Sequence, residues 1–253
     1  LKKYDVRSDT RGILDPQELM ARVAFRRVPA APALRPYVEH YWLIDWELDE
    51  PYEQHVLPHP SVNVVFMGAE GNVTAEVSGV GRKLFSIKLD GTGGVAGAQF
   101  RPGGYHPFHR GSVSELTGRR VPLDIEVAAP SPQALDAYLL SLDPQPDPQA
   151  DLAMSLADAI RQDRSVLRVD DFARASGMSV RAMQRLFSEY VGVSPKWVIL
   201  RYRIQEAIEV AGPETDWARL AADLGYSDQA HLVRDFTSTI GVSPAAYGGQ
   251  RGN

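Results

Sequence analysis

Arg181, Gln184, Arg185 and Ser188 recur at the i, i+3, i+4 and i+7 spacing of a single helix face. Arg pairs bidentately with guanine, Gln matches the edge of adenine, and Ser is a small donor or acceptor, so a helix with this face can read base edges in a major groove. The plain alternative is a solvated polar stripe. Two features of the surrounding chain decide between them. Met183, Leu186, Phe187 and Tyr190 form an apolar stripe on the opposite side, so the helix must pack on something and leave its polar face outward. The unit that contains the helix is also written twice.

The first copy runs Ala173-Arg174-Ala175-Ser176-Gly177-Met178-Ser179, then Phe187 and Gly192-Val193-Ser194-Pro195. The second runs Ala221-Ala222-Asp223-Leu224-Gly225-Tyr226-Ser227, then Phe236 and Gly241-Val242-Ser243-Pro244, offset by about fifty residues. In each copy a short apolar helix must stop at the glycine, the residue that most readily takes a left-handed helix end. A Ser, or Asp228 in the second copy, can cap the next helix, and a small Ala lets the two helices cross closely, as in a helix-turn-helix. Aligning Phe187 with Phe236 gives the second copy the face Ala230, Val233, Arg234 and Thr237, which is poorer in base-reading groups.

Between the copies, Pro195 starts a long helix that places Trp197, Leu200, Ile204, Ala207, Ile208 and Ala211 inward and stops at Gly212-Pro213. Such a connector would hold two reading helices about one turn of DNA apart, ~34 Å. Arg201 and Arg203 are candidates for phosphate contact, with an internal ion pair as an equal alternative for Arg203.

These residues resemble the AraC-type (AraC/XylS) bacterial transcription regulators, above all through Leu224-Gly225-Tyr226-Ser227-Asp228-Gln229-Ala230-His231 and the closing Gly241-Val242-Ser243-Pro244. The resemblance covers roughly the last hundred residues. It implies that residues 179–190 and 228–239 are recognition helices for double-stranded DNA, and RNA polymerase is an implied partner if the protein activates. Asp235 departs from the pattern, standing where such regulators often carry Lys or Arg.

The 253 residues, 44% of them apolar, suffice for two globular domains. There is no Cys, hence no disulfide, thiolate zinc site or thiol nucleophile. No apolar run approaches the ~20 residues of a membrane span, and no signal-like segment opens the chain, so a soluble cytoplasmic protein is expected. The net charge of −5 argues against indiscriminate nucleic-acid binding. Positive charge is local: residues 161–203 carry 9 basic and 4 acidic side chains, whereas residues 204–253 carry 3 and 7.

The first half reads differently. After a polar stretch at 1–19, a mobile arm or early helix, β-rich runs follow at 22–28, 38–48, 54–57, 62–67, 73–77, 84–89, 95–100 and 121–127, separated by Gly- and Pro-containing turns. Such a pattern indicates a sandwich or small barrel. His40, Trp42, Ile44, Trp46 and Leu48 share a strand face, which is expected to point inward. Gly91-Thr92-Gly93-Gly94-Val95-Ala96-Gly97 has no helix pattern after it, so a hairpin turn is expected there rather than a nucleotide loop. Tyr41-Trp42-Leu43, residues 57–63 (LPHPSVN) and Phe100-Arg101-Pro102-Gly103-Gly104 resemble the sensor domain of one AraC-type subgroup, which implies a cupin-like β-barrel or jelly roll with no assigned ligand.

Candidate ligand groups in this half are Trp42, Trp46, His55, His59, Phe66, Phe100, Arg101 and Tyr105. The aromatics suit a pocket or plain core, and Arg101 suits an anionic ligand or a structural ion pair. Glu53, His55, His59, His106 and His109 could be gathered around a metal, although His59 lies between two prolines and reads as turn chemistry. No cofactor or metal is assigned.

The expected class is therefore α+β with two domains. Residues 1–128 form a β-barrel sensor, 129–150 a short helix and Pro-rich linker, and 151–253 an all-α domain of two helix-turn-helix units joined by a long helix. The expected function is DNA-binding regulation without catalysis, governed by a small-molecule effector, with a homodimer open. The alternatives are a metal-dependent barrel enzyme fused to a DNA-binding domain, and a regulator whose barrel serves only dimerisation or protein interaction.

Overall fold

A computed structural model describes residues 12–250 apart from 70 and 110. Of the expected arm or early helix at 1–19, residues 1–11 lie outside the described part. Helix α1 (Pro16–Arg22) starts on an Asp15 cap with Pro at its first position. Six antiparallel strands follow: β1 (Ala24–Val28), β2 (Val38–Val56), β3 (Asn63–Ala69), β4 (Asn72–Ser78), β5 (Phe85–Phe100) and β6 (Arg120–Pro122). They form one sheet in the order β1-β2-β5-β3-β4-β6, with β1 and β6 at its edges. The short helix α2 (His106–His109) and a 3-10 turn at Val113–Leu116 lie between β5 and β6.

Two sequence expectations fail here for one reason. Residues 91–97 do not turn; they run through the middle of β5, with Trp46 opposite Gly93 and Trp42 opposite Gly97. A Cβ on Gly97 would lie 2.2 Å from the Trp42 ring, and one on Gly93 2.4 Å from that of Trp46. The glycines are thus flat seats for indoles, a use of Gly inside strands that period and composition do not separate from a turn. The tryptophan face is also not the main inward one. Tyr41 and Leu43, on the opposite face of β2, enter the principal core with Phe66, Ala96, Ala98 and Phe100. Trp46 and Ile44 instead belong to a smaller cluster beneath α1 with Leu19, Val23 and Leu89. A strand covered on both sides alternates without marking which side is deeper.

Helix α3 (Pro132–Ser141) is capped by Ser131 and sends Leu135 and Leu139 into the core of the sheet region. Its Asp136 accepts from the Tyr41 hydroxyl at 2.7 Å. Helix α4 (Pro148–Gln162) begins earlier than its apolar spacing indicates, because Asp147 caps it and Pro148 takes the first helical position. The remaining helices are α5 (Val169–Ala175), α6 (Val180–Tyr190), α7 (Pro195–Val210), α8 (Trp217–Asp223), α9 (Gln229–Ile240) and α10 (Pro244–Gln250). The chain is thus sheet-rich in its N-terminal part and helical in its C-terminal part.

Candidate nucleic-acid interface

The two helix pairs are built alike to the level of single hydrogen bonds. After α5, Gly177 takes φ +68° and its N–H donates to the Arg174 carbonyl at 3.1 Å, while the Met178 N–H donates to Ala173 at 2.9 Å. After α8, Gly225 takes φ +74°, with Gly225 donating to Ala222 at 3.0 Å and Tyr226 to Ala221 at 2.9 Å. This is the glycine helix stop expected at both places. The copies then differ by one residue: Ser179 caps α6 through the Ala182 N–H, whereas Asp228, not Ser227, caps α9 through the His231 N–H at 2.7 Å. That bond holds the Asp228 carboxyl below its usual pKa.

Met183, Leu186 and Phe187 lock α6 into a core formed with α4, α5 and α7. Its opposite face leaves Arg181, Gln184, Arg185 and Ser188 exposed together. In α9, Leu232, Phe236 and Ile240 are buried, Ala230 and Arg234 are exposed, and Val233 and Thr237 are half-exposed. All eight expected contact residues therefore reach the surface on their two helices.

Arg201 is a correction. It is only 6% exposed, its guanidinium lies 4.5 Å from the Trp197 ring centroid, and burial pulls its pKa down to about 10. It cannot touch phosphate. It lies on the inward side of a helix whose partners come from distant sequence, which no local pattern reveals. Arg203 is also buried; it donates to the carbonyl of Arg164 at 2.8 Å and to that of Val166, tying the α4–α5 loop to α7.

The N-terminal region reaches into this assembly. Arg101 pairs with Asp158 of α4 at 2.5 Å, and Arg161 of α4 pairs with Asp158 at 3.2 Å and with Glu39 of β2 at 2.6 Å. Arg101 is thus a structural anchor between the two regions. Burial acts to raise the Glu39 pKa, but the facing His59 and Arg161 outweigh it and hold the carboxyl at about 2. The Thr117 hydroxyl donates to the Gly192 carbonyl at 2.6 Å, just past α6. His106 packs against Tyr190 with the rings tilted by 36° and centroids 4.1 Å apart, and lies 3.0 Å from Asp147. Leu57 enters the core around α7–α9, and Val80 the core around α6.

The expected ligand residues do not line one pocket: Trp46 borders an open groove of 600 Å³ between α1 and strands β1, β2 and β5, and the others lie elsewhere. Phe66 and Phe100 are fully buried core, and Phe100 packs edge-on against Tyr105 and Phe108 at 4.9 and 5.1 Å. The Trp42 and Trp46 indoles donate to Asn63 and to the Asp90 carbonyl. His59 bonds Ser61 at 2.8 Å and Glu53 accepts from Ser86. Aromatic side chains at strand spacing fill the core because each meets the next, which spacing alone cannot distinguish from a lined cavity. Among the described residues no group of three His, Cys, Asp or Glu side chains is placed to hold a metal. An open groove of 310 Å³ does lie between β1 and the start of α3, lined by Arg26, Val28, Leu43 and residues 130–133. No helix of the described residues is long and apolar enough to cross a membrane.

A pair of short helices set across a glycine stop, with one polar face outward, is the build of a DNA-reading domain. Residues 172–250 match the model of a helix-turn-helix domain, and residues 26–122 match a domain of unknown function (DUF6597). The regulatory protein PocR of Salmonella typhimurium is 30% identical over 128 residues, which are 49% of this chain and 41% of PocR. The chain thus spans less than half the length of that relative. Among solved structures, ToxT from Vibrio cholerae is similar over 82% of this chain and 96% of its own, at 12% identity and a TM-score of 0.41. The C-terminal domain of AraT, a response regulator from Geobacillus stearothermophilus, is similar over 37% of this chain and 79% of its own, at 23% identity and a TM-score of 0.34. By the two family matches, residues 172–250 form a helix-turn-helix domain and a further matched domain lies on its N-terminal side.

Proposed function

We propose that the protein is a sequence-specific DNA-binding transcription regulator that reads two successive major grooves with α6 and α9. The observation that carries this reading is the exposed Arg181, Gln184, Arg185 and Ser188 face, held outward by the buried stripe behind it, with an outward face in the same register on α9. Both pairs count as helix-turn-helix units in this reading, and α7, 16 residues or about 24 Å long, is the spacer between them. The work is binding, with no catalytic step. The two helices contribute unequally: α6 supplies most discrimination, while Ala230 and Val233 on α9 are suited to thymine methyl groups.

The N-terminal region, a cupin-like domain ending at the Pro-rich segment before α4, is the controlling part. Its contacts to α4 and to the end of α6 support that role. Small-molecule control belongs to the same reading, and the open grooves beside α3 and beneath α1 are its candidate places. Binding selections on randomised duplex DNA test the proposal. Arg181→Ala and Gln184→Ala should each relax preference at one base position by about 1 to 3 kcal/mol, and Val233→Ala by much less. A protein that enriches no sequence, or more information under α9 than under α6, would overturn it.

A further inference from the structure

Arg201 places a permanent charge inside the junction of α7 and α9, and its Nε and Nη1 are buried with no hydrogen-bond partner. Two other polar atoms nearby share that condition: Oδ2 of Asp235 on α9 and the hydroxyl of Tyr226 in the turn that leads into α9. Both groups lie within the electrostatic field of the guanidinium. Leaving a buried donor or acceptor unmade costs more than a typical hydrogen bond contributes, and the excess is larger for ions. Three complementary groups from α7, the turn and α9 therefore have each other as natural partners, directly or through a water.

The internal duplication supplies an independent argument. With Phe187 aligned to Phe236, Asp235 falls at the position of Leu186, which is 6% exposed in the core of the first unit. That register points inward in both copies. The second copy has thus replaced an apolar core residue by a carboxylate, on the helix that packs against the connector bearing the buried Arg. The Trp197 ring covers the guanidinium from its other side, and His231 lies 3.8 Å from the Asp235 carboxylate one turn back on α9.

We propose that Arg201 and Asp235, joined by Tyr226, form a buried polar lock that fixes the pose of α9 on α7. They are positioning residues for a reading face to which neither belongs. The lock as a structural pair stands by itself; its effect on base reading rests on the DNA-binding function proposed above.

The test is a double-mutant cycle in the full chain with Arg201→Met, Asp235→Leu and the combination, which restores to the second unit the apolar character of the first. Asp235→Leu strands the buried guanidinium and Arg201→Met leaves unpaired a carboxylate whose side chain is about 30% exposed, so each should lower Tm, the first more, and Asp235→Leu should weaken discrimination under α9 by about tenfold or more, with preference under α6 unchanged. The double variant should recover Tm and come within about threefold of the original discrimination. Arg201→Lys and Asp235→Asn provide milder variants if a single one fails to fold. Random duplex libraries read the two half-sites separately. Tm losses that simply add in the double variant would overturn the lock, and unchanged α9 discrimination in folded single variants would overturn its positioning role. If the unmutated protein enriched no sequence, the DNA-binding function would fall, and the Tm cycle would still decide the pair.

Discussion

Glu39→Gln tests whether the contact between the sheet and α4 is an energetic joint. The Glu39 carboxyl accepts from Arg161 at 2.6 Å and is about 20% exposed, so solvent screens the pair only in part. Its pKa falls from 4.5 to about 2 on folding. Each tenfold change in proton affinity is about 1.4 kcal/mol, so ionised Glu39 favours the folded state by about 3 kcal/mol, shared between His59 of the sheet region and Arg161 of α4. The sign follows from the depressed value: the contribution is fully present above about pH 4.5 and disappears as pH falls toward about 2. Gln keeps the shape and removes the charge. Denaturant unfolding of both proteins should therefore differ by about 3 kcal/mol at pH 7, and by progressively less below pH 4.5. An equal difference at pH 7 and pH 2.5, or none at pH 7, would refute a stabilising charge on Glu39, and Arg161→Gln should reproduce the part of the difference that belongs to α4.

Three further outcomes are expected. Gly97→Val should expel the Trp42 indole from its seat, breaking its bond to Asn63; a shift in tryptophan emission and a loss of about 1 to 3 kcal/mol check it. Asp147→Ala removes the two cap bonds to the N–H groups of Gln149 and Ala150, which should cost about 1 kcal/mol in thermal unfolding. Phe187→Ala hollows the core behind the α6 face, and calorimetry should find a loss of about 3 to 5 kcal/mol.

What the sequence made legible was local and periodic. Gly177 and Gly225 announced their helix ends because a positive φ is a property of single residues, and Met183, Leu186 and Phe187 announced a buried stripe because helix spacing is a short-range rule. Pro148 opens α4 on its Asp147 cap, although its Pro-rich surroundings read as linker. The rest depended on partners far away in the chain. Gly93 and Gly97 read as a turn until Trp46 and Trp42 are set opposite them, from a strand some fifty residues earlier. Arg201 read as a phosphate contact because nothing near it in sequence reports the ring and the helix that enclose it. Arg101 offered a ligand anchor or an ion pair, and only the folding of α4 against the sheet selects the second.

Leu57 and Val80 are encoded in the sheet region yet buried in the cores behind α9 and α6. The helical half therefore does not own all of its own interior. Splicing the helical half onto a foreign domain at the Pro-rich segment would open two apolar sockets, so a workable chimera must carry matching plugs from its new neighbour. The same holds for recombination over evolutionary time: the two halves can be exchanged only together with the surface on which they meet, which ties the inheritance of the sheet-rich half to that of the helical one.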